Sequence, residues 1–343
     1  MKIIYEQNIP FVSNFFTELA DLHPLASNAL TPENLKDADA LLVRSVNSVN
    51  ATLLRDTPIR FVGSASAGFD HLDIDYLNQQ KIAWAYAPGC NAQAVADYVL
   101  LSVAHLLQQQ KFRHNQPRVG IIGMGYVGQR VFDTLNKLGF DVVVNDPPRA
   151  DNEVDFESAP LDKFHDLDLI CVHTALTMNG PHPSYHLIDQ HFLEKLNPHC
   201  VLLNASRGAC IDSQALKKMK LTTILDVWEN EPNIDVELVE SAYIATQHIA
   251  GWSLPSKYHA TRQLYDAFCS HFEVDHYLST EEDPSNYIAL DLSKANWMKQ
   301  AFKIENLEKL SEAFKQTLKT ADNIEEAFRS SRKNYRLRPE FIY

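Results

Sequence analysis

Three short segments in the second half of the 343-residue chain follow apolar runs with groups able to do proton or charge chemistry. They are NASRGACID with Arg207, LDVWENEP with Asp226 and Glu231, and QHIAGW with His248. Taking a hydride from an alcohol carbon requires a base for the hydroxyl proton, and imidazole suits that task near neutral pH. A carboxylate hydrogen-bonded to the imidazole orients it and favours its protonated form. A guanidinium can grip a substrate carboxylate through two parallel hydrogen bonds and polarise a developing carbonyl. Arg207, Glu231 and His248 supply one of each. Spacing alone leaves a second reading equally open, in which Arg207 and Glu231 are surface charges and His248 is a core histidine with its hydrogen bonds satisfied.

A hydride needs an acceptor, and the stretch RVGIIGMGYVGQRVFDTLNKLGFDVVVND from Arg118 to Asp146 points to one. An apolar strand runs into Gly123-Met-Gly125-Tyr-Val-Gly128, then a helix, then a second apolar strand that ends at Asp146. Gly123 permits a tight turn, Gly125 lets the backbone approach a pyrophosphate, and Gly128 lets the helix pack closely on the strand. The amides of Tyr126 and Val127 open a helix whose N-terminal dipole favours phosphate. Asp146 lies 18 residues beyond Gly128, where a carboxylate accepts the ribose hydroxyls of NAD and repels the 2′-phosphate of NADP. Arg149 is read as a solvated loop arginine. A glycine pattern by itself is weak, but here strand, helix, second strand and terminal acid occur together, and they predict NAD as cofactor.

The elements that must position these groups alternate along the chain. About 115 residues precede the glycine motif and carry their own apolar strands, KIIYEQ, ALLVRS, RFVGSAS and IAWAYA, with a helical stretch near Phe11 to Ala20. A helix is expected from about Asn91 to Gln110, and after the motif come strands at LDLICVHT, VLLNAS, TTILDVW and YIATQHIA. Short strands alternating with helices predict parallel sheets. The fold class expected is α/β, with two Rossmann-like doubly wound domains, one inserted in the other, plus a small α+β C-terminal unit. The expected boundaries are 1–90 with 255–281 for a substrate domain, 91–254 for the NAD-binding domain, and 282–343 for the last unit. A helix near Pro255 to His271 returns the chain to the first domain, and ligands are expected in the cleft between the two.

Composition is that of a soluble globular protein, 45% apolar and 22% charged. The net charge of −13 argues against nucleic acid or an anionic membrane as partner. An anionic substrate must then be held by a local cluster of arginines and amides. The start, MKIIYEQNIP, has no long apolar run of the signal-peptide kind, and no stretch approaches the ~20 apolar residues that cross a bilayer. Five scattered cysteines without a CxxC suggest reduced thiols in a cytoplasmic protein. The 14 histidines show no HExxH spacing, and no metal site is expected.

Taken together, PGCN, GMGYVG, HTAL, NASRGA, DVWENEP and HIAG resemble the NAD-dependent D-2-hydroxyacid dehydrogenases over residues 1 to about 280. Within that family the chain is similar to the erythronate-4-phosphate dehydrogenase branch, which serves pyridoxal 5′-phosphate biosynthesis. The resemblance rests on GSASAGFDHLD, APGCNAQAVADYV, HTALTMNGPHPSYHLI and, in the tail, FRSSRKNYRLRPEF. It implies catalytic roles for Arg207 and Glu231, with His248 as proton donor or acceptor. It implies substrate binding by Ser45, Ser66 and position 252. For NAD it implies Gly123, Gly125, Tyr126, Val127, Gly128, Asp146, Thr174, Ala205, Ser206, Asp226 and Gly251, with Asp226 accepting from the nicotinamide carboxamide. The implied reaction oxidises 4-phospho-D-erythronate, a small phosphorylated 2-hydroxy acid, to (R)-3-hydroxy-2-oxo-4-phosphobutanoate. The alternatives are another D-2-hydroxyacid dehydrogenase, of the 3-phosphoglycerate or D-lactate type, or an NAD-sensing binding protein with little turnover. Arg44, at a strand end, is a candidate for the substrate phosphate.

The chain departs from that pattern in several places. Gln247 precedes His248 where the family has proline, and Trp252 stands where a substrate-contacting tyrosine is expected; an indole N–H can donate but not accept. The interval from Arg207 to Glu231 is about five residues short, which points to a trimmed helix near Leu216 to Lys220. The tail ends sooner than the family's dimerisation domain. Within it, TEEDPSN reads as a linker and IALDLS as a half-buried strand. Ile304, Leu307, Leu310, Phe314 and Leu318 form one apolar stripe on a helix from about Ile304, and Asp322 with Glu325 resembles a capping box. Five such side chains will not stay in water, so either the rest of the chain or a second copy must cover them, and a homodimer through this unit is expected, in keeping with the resemblance.

Overall fold

In the computed structural model, which describes residues 1–114, 116–275, 286–294 and 296–343, strands and helices alternate as the apolar runs predict. The first strands and helices are β1 (Lys2–Glu6), α1 (Val12–Phe16), β2 (Asp21–Leu25), β3 (Ala40–Val43), α2 (Ala51–Leu54), β4 (Phe61–Ser64), α3 (Ile74–Gln79) and β5 (Ala83–Tyr86). Next come α4 (Ala92–Gln108), β6 (Arg118–Ile122), α5 (Tyr126–Lys137), β7 (Asp141–Asn145), α6 (Pro147–Ala150), β8 (Leu169–Val172), α7 (Gln190–Lys195) and β9 (Val201–Asn204). Then follow α8 (Ser213–Lys217), β10 (Thr222–Leu225), α9 (Val236–Ser241), β11 (Ile244–Ala245) and α10 (Leu254–Phe272). The tail contributes β12 (Tyr287–Ala289), α11 (Trp297–Ile304), α12 (Leu307–Lys319), α13 (Ile324–Lys333) and β13 (Glu340–Ile342).

Two compact units result, one of residues 1–91 with 252–287 and the other of residues 92–251 with 288–343. The first is a five-stranded parallel sheet in the order β2-β1-β3-β4-β5. β3 is buried at every position, as its continuous ALLV run requires. α10 packs on β4 and β5 and closes an aromatic core with Phe15, Phe16, Phe61, Tyr258, Tyr265 and Phe268. The strand missing from the sequence reading is β2. Its DLHPL run has no alternation and includes Pro24, which a sheet tolerates at its edge.

The second unit is a six-stranded parallel sheet in the order β11-β10-β9-β8-β6-β7. Strand order reverses at β6, so the C-terminal ends of β6 and β8 flank a switch point, where such sheets bind ligands. α4 is almost wholly buried and packs against α5, α11 and β13.

The tail joins this second unit. Leu307 is buried in the core built on α4, while Phe314, Leu318 and Phe328 are buried with Leu225, Trp228 and Leu238. Ile304 and Leu310 are partly buried against the first of these cores. The stripe that called for a second copy is therefore covered by its own chain. The helix expected from Ile304 is in fact two. Ile304 ends α11, which the sequence reading missed, and Asn306 caps α12 by accepting from the Lys309 amide at 3.1 Å. Likewise Asn323, not Asp322, caps α13, accepting from the Glu326 amide at 3.0 Å. Apart from Asn286, the expected linker at 280–286 lies outside the described residues, as does the expected boundary at 281.

α12 lies along β11, the edge strand, and Ser311 Oγ accepts from the Ala245 amide at 2.9 Å. An open edge amide thereby gains a buried partner. Replacing Phe314 with Ala should cost about 3–5 kcal/mol of stability in urea unfolding. A loss below about 1 kcal/mol, the range of surface changes, would show that the ring is not part of this core.

Candidate active site

The dinucleotide segment shows why each glycine is there. Gly123 adopts φ +93°, a conformation L side chains rarely take. A Cβ on Gly128 would lie 1.9 Å from the Gly123 carbonyl oxygen, so helix and turn meet at backbone distance. A Cβ on Gly125 would meet nothing within 4 Å, which leaves room in front of the α5 N-terminus, where no side chain caps the helix. Tyr126 is exposed there and Val127 half-buried. Asp146 follows β7. Its carboxylate accepts from the Met124 amide at 2.7 Å and the Arg149 amide at 3.0 Å, tying the acid to the glycine turn. The donor set fits a dinucleotide: open helix amides for the pyrophosphate and a fixed carboxylate for ribose hydroxyls.

Arg149 corrects the sequence reading. It is no free loop side chain: its guanidinium donates to the Met124 carbonyl at 3.0 Å, to Gln129 Oε1 at 3.1 Å and to Glu153 at 2.8 Å, and it lies over the Phe156 ring. Thr174 follows β8 and is half-buried, its hydroxyl donating to the Ala175 carbonyl at 3.3 Å. The neighbouring His173 is buried, and burial pushes its imidazole down to about 3, so it is neutral.

Arg207, Asp226, Glu231 and His248 all follow the C-terminal ends of β9, β10 and β11, which are adjacent in the sheet. Asn204 shapes the first loop. Its Oδ1 accepts from the Ser206 amide and hydroxyl at 3.0 and 2.8 Å, and its Nδ2 donates to the Arg207 carbonyl at 3.0 Å. Arg207 is half-buried, with Nη1 donating to the Ser206 carbonyl at 3.0 Å, and Ala205 is half-buried beside it. A Cβ on Gly208 would lie 1.9 Å from the Trp228 carbonyl carbon, so this loop presses on the Trp228 backbone. The Trp228 amide in turn donates to Glu231 Oε1 at 2.9 Å, and Glu231 Oε2 meets His248 Nδ1 at 2.7 Å. A continuous path of contacts thus runs from the Arg207 loop to His248.

Burial acts to raise the Glu231 carboxyl, but the His248 imidazole, the Trp228 amide and the Arg332 charge outweigh it and hold the group below the ordinary glutamate value. Glu231 is therefore an anion at neutral pH. With Nδ1 committed to it, Nε2 is the ring nitrogen left for chemistry. Glu229, two residues earlier, serves a different partner: it meets His186 Nε2 at 2.8 Å. Where a trimmed helix is expected near Leu216 to Lys220, the structure has α8, Ser213–Lys217, which starts three residues earlier and ends at Lys217.

Asp226 is buried, and its carboxylate accepts from the Thr246 hydroxyl at 2.7 Å and from the Ile249 and Ala250 amides at 2.8 and 2.9 Å. A carboxylate has about four lone-pair positions, so one remains. Gly251 closes the segment. Thr246, whose hydroxyl also meets Tyr98 at 2.8 Å, was not singled out from sequence, nor was Asn204. Neither carries a recognisable spacing, and only the strand register brings them to these loops.

In the first unit, Ser45 is exposed after β3 and Ser66 is half-buried after β4, at the C-terminal ends of neighbouring strands. Arg44 forms an ion pair with fully buried Glu6. Its charge compensates a buried carboxylate, which is a structural task. Trp252 is half-buried, with the Lys257 ammonium 4.8 Å above its ring. Among the described residues no cluster of His, Cys, Asp or Glu could hold a metal ion, and no helix is long and apolar enough to cross a membrane.

Residues 102–250 match the model of the D-isomer specific 2-hydroxyacid dehydrogenase, NAD binding domain. The chain is 48% identical over 275 residues to an erythronate-4-phosphate dehydrogenase of Coxiella burnetii, covering 80% of this chain and 75% of that one. It is 45% identical over 275 residues to the enzyme of the same name from Azotobacter vinelandii, covering 78% and 72%. Its fold is similar to that of the NAD+-bound 3-phosphoglycerate dehydrogenase of Entamoeba histolytica, with a TM-score of 0.66 at 23% identity over 82% of this chain and 99% of that one.

Substituting Gly128 by Ala should abolish NADH binding in a fluorescence titration, because the added methyl must displace the turn at Gly123. Asp146→Ala should weaken NAD and relax discrimination against NADP. Unchanged NADH affinity in Gly128→Ala would remove this segment from the cofactor site.

Proposed function

The chain belongs to the erythronate-4-phosphate dehydrogenases, within the NAD-dependent D-2-hydroxyacid dehydrogenase family, and from that membership we propose the reaction and the part each residue plays. The enzyme oxidises C2 of 4-phospho-D-erythronate to give (R)-3-hydroxy-2-oxo-4-phosphobutanoate, in pyridoxal 5′-phosphate biosynthesis. The single observation that carries the reading is the His248–Glu231 pair, at 2.7 Å, at the strand ends of a dinucleotide-binding sheet. Its cofactor is NAD, which when bound supplies the acceptor for the C2 hydride. Gly123, Gly125, Tyr126, Val127 and Gly128 hold the pyrophosphate and Asp146 the ribose. Thr174, Ala205, Ser206, Asp226 and Gly251 hold the nicotinamide half, with the remaining lone pair of Asp226 taking the carboxamide.

The protein's own chemical work is on the proton. His248 Nε2 accepts the C2 hydroxyl proton as the carbonyl forms, and the imidazolium so produced is stabilised by the Glu231 anion. Arg207 grips the substrate carboxylate and polarises the nascent carbonyl. Ser45, Ser66 and Trp252 contact substrate, with Trp252 restricted to a donor role. The anionic substrate meets a strongly acidic protein, so these local donors must overcome its overall field.

A homodimer is proposed on family resemblance alone, since the apolar stripe that suggested it is covered within the chain. Light scattering at micromolar concentration should give twice the mass of the 343-residue chain; a monomer would dispose of it.

NADH formation measured against 4-phospho-D-erythronate, 3-phosphoglycerate and D-lactate tests the substrate, and the first should be turned over fastest. Faster turnover of either of the others would reassign the enzyme within the family. His248→Ala should lower kcat by roughly 10²–10⁴-fold, the usual worth of a general acid–base group, while NADH binding persists. The opposite pattern, lost binding with kept turnover, would remove His248 from the chemistry.

A further inference from the structure

His248 has φ +59°, a left-handed conformation that a residue with a side chain adopts only when its surroundings impose it. The residue before it is Gln247, so no proline ring stiffens the approach. The amide side of this segment is held by Asp226: its carbonyl accepts from the His248 amide at 2.7 Å, and its carboxylate accepts from Ile249 and Ala250. The carbonyl side is held by the tail. Arg332, on α13, donates from Nε to the His248 carbonyl at 3.1 Å. Arg338, 2% exposed, donates from Nη2 to the Ala250 carbonyl at 2.8 Å and to the Ala94 carbonyl, and its Nη1 lies 3.7 Å from buried Asp97. The Phe341 amide also donates to Asp97, at 2.9 Å, which ties the last residues to α4. The Arg332 charge is also among the influences that keep Glu231 ionised.

We propose that Arg332 is a positioning residue for proton transfer: from the C-terminal unit of the same chain it fixes the His248 carbonyl, and so the direction of the imidazole. The tail is then part of the active-site scaffold, whatever it does in assembly. The inference rests on the reading of His248 as the proton acceptor. Mechanically the reason is short reach. The ring is separated by a single methylene from a backbone in the left-handed region, and two arginines and one aspartate hold the main-chain groups around it. Guanidinium donors suit the task because a charge-assisted bond to a carbonyl is about twice as strong as a neutral one.

The test uses the full chain carrying Arg332→Met, Arg332→Gln and Arg332→Lys. The Met variant should lose roughly 10- to 100-fold in kcat, the scale of a misplaced catalytic group. Its KM for NAD should stay at the wild-type value, because the glycine turn and Asp146 are untouched. Lys, which keeps charge and an N–H donor, should recover most of kcat, and Gln, a neutral donor, should recover less. The thermal midpoints of all three should lie close to that of wild type. A second measurement does not depend on turnover: the His248 imidazole C–H proton signal, assigned by its loss in His248→Asn, should move or split in Arg332→Met. Wild-type kcat in the Met variant, or a loss that Lys does not recover, overturns the proposal. If Met fails to fold, Gln against Lys decides by the same criteria. If wild-type protein turns over none of the hydroxy acids, the proposed function has failed by itself, and an unmoved His248 signal in Arg332→Met then overturns this inference separately.

Discussion

The buried carboxylate of Asp226 faces a problem that the rest of the site is built around. An anion withdrawn from water must be surrounded by donors, and the donors nearest it are the amides of the segment that carries His248. By accepting from Ile249, Ala250 and the Thr246 hydroxyl, it turns its own need for partners into a clamp on that segment. Each such bond to a charged group is worth about 1.5–3 kcal/mol, enough to hold His248 in a left-handed conformation that would otherwise relax. The clamp works because β10 and β11 are adjacent and parallel, with Leu225 paired to Ala245, so Asp226 and the start of the loop emerge side by side. Register on the sheet therefore decides the geometry of the imidazole.

How much of this could be read beforehand depends on whether the signal was local. The glycine turn was legible because each glycine answers a steric demand within its own βαβ unit, and Gly128 against the Gly123 carbonyl is that demand in its clearest form. The strands were legible as apolar runs, except β2, whose residues carry neither alternation nor β-branching, and the three-residue β13 near the end of the tail. The pairing of His248 with Glu231 follows from residue types and from resemblance, but residue type alone does not tell Glu231 from Glu229. Both glutamates stand in WENEP, and what separates them is the path of the backbone after Trp228, whose amide takes Glu231 while Glu229 turns toward His186. The task of Arg44 was illegible for a related reason: the buried Glu6 that needs it is 38 residues away and looks like any strand-end glutamate.

The expectation for the tail rests on physical grounds that leave one choice open. Five apolar side chains at helical spacing do need cover, but amphipathicity says nothing of whose surface provides it. In the structure the cover is β11 and α9 of the same chain, and the helix itself breaks at Glu305, so Ile304 belongs to the preceding turn. Polar residues on α12 carry the missing information. Ser311 satisfies an edge amide of β11, and Lys315 reaches the Ala242 carbonyl just before the same strand. Burial pushes the Lys315 ammonium below its ordinary value, a mark of a cation engaged in packing rather than left on a solvated face. Neither contact has a sequence signature, because the groups answered are main-chain atoms 66 and 73 residues away.

These contacts bear on how the His248 segment is held with Gln247, and no proline, before it. A proline restrains a loop from within, by fixing one φ angle; hydrogen bonds to neighbouring carbonyls restrain it from outside. In this chain hydrogen bonds from outside come from Arg332 and Arg338, which the fold brings to the His248 segment because α12 lies along β11 and α13 packs on α12. Packing of an apolar stripe and placement of the His248 loop are then one arrangement. α12 packs on both β11 and α13, and α13 carries the arginine that meets the His248 carbonyl. A tail that in sequence looks like an appendage is by this route joined to the segment that follows the strand it covers.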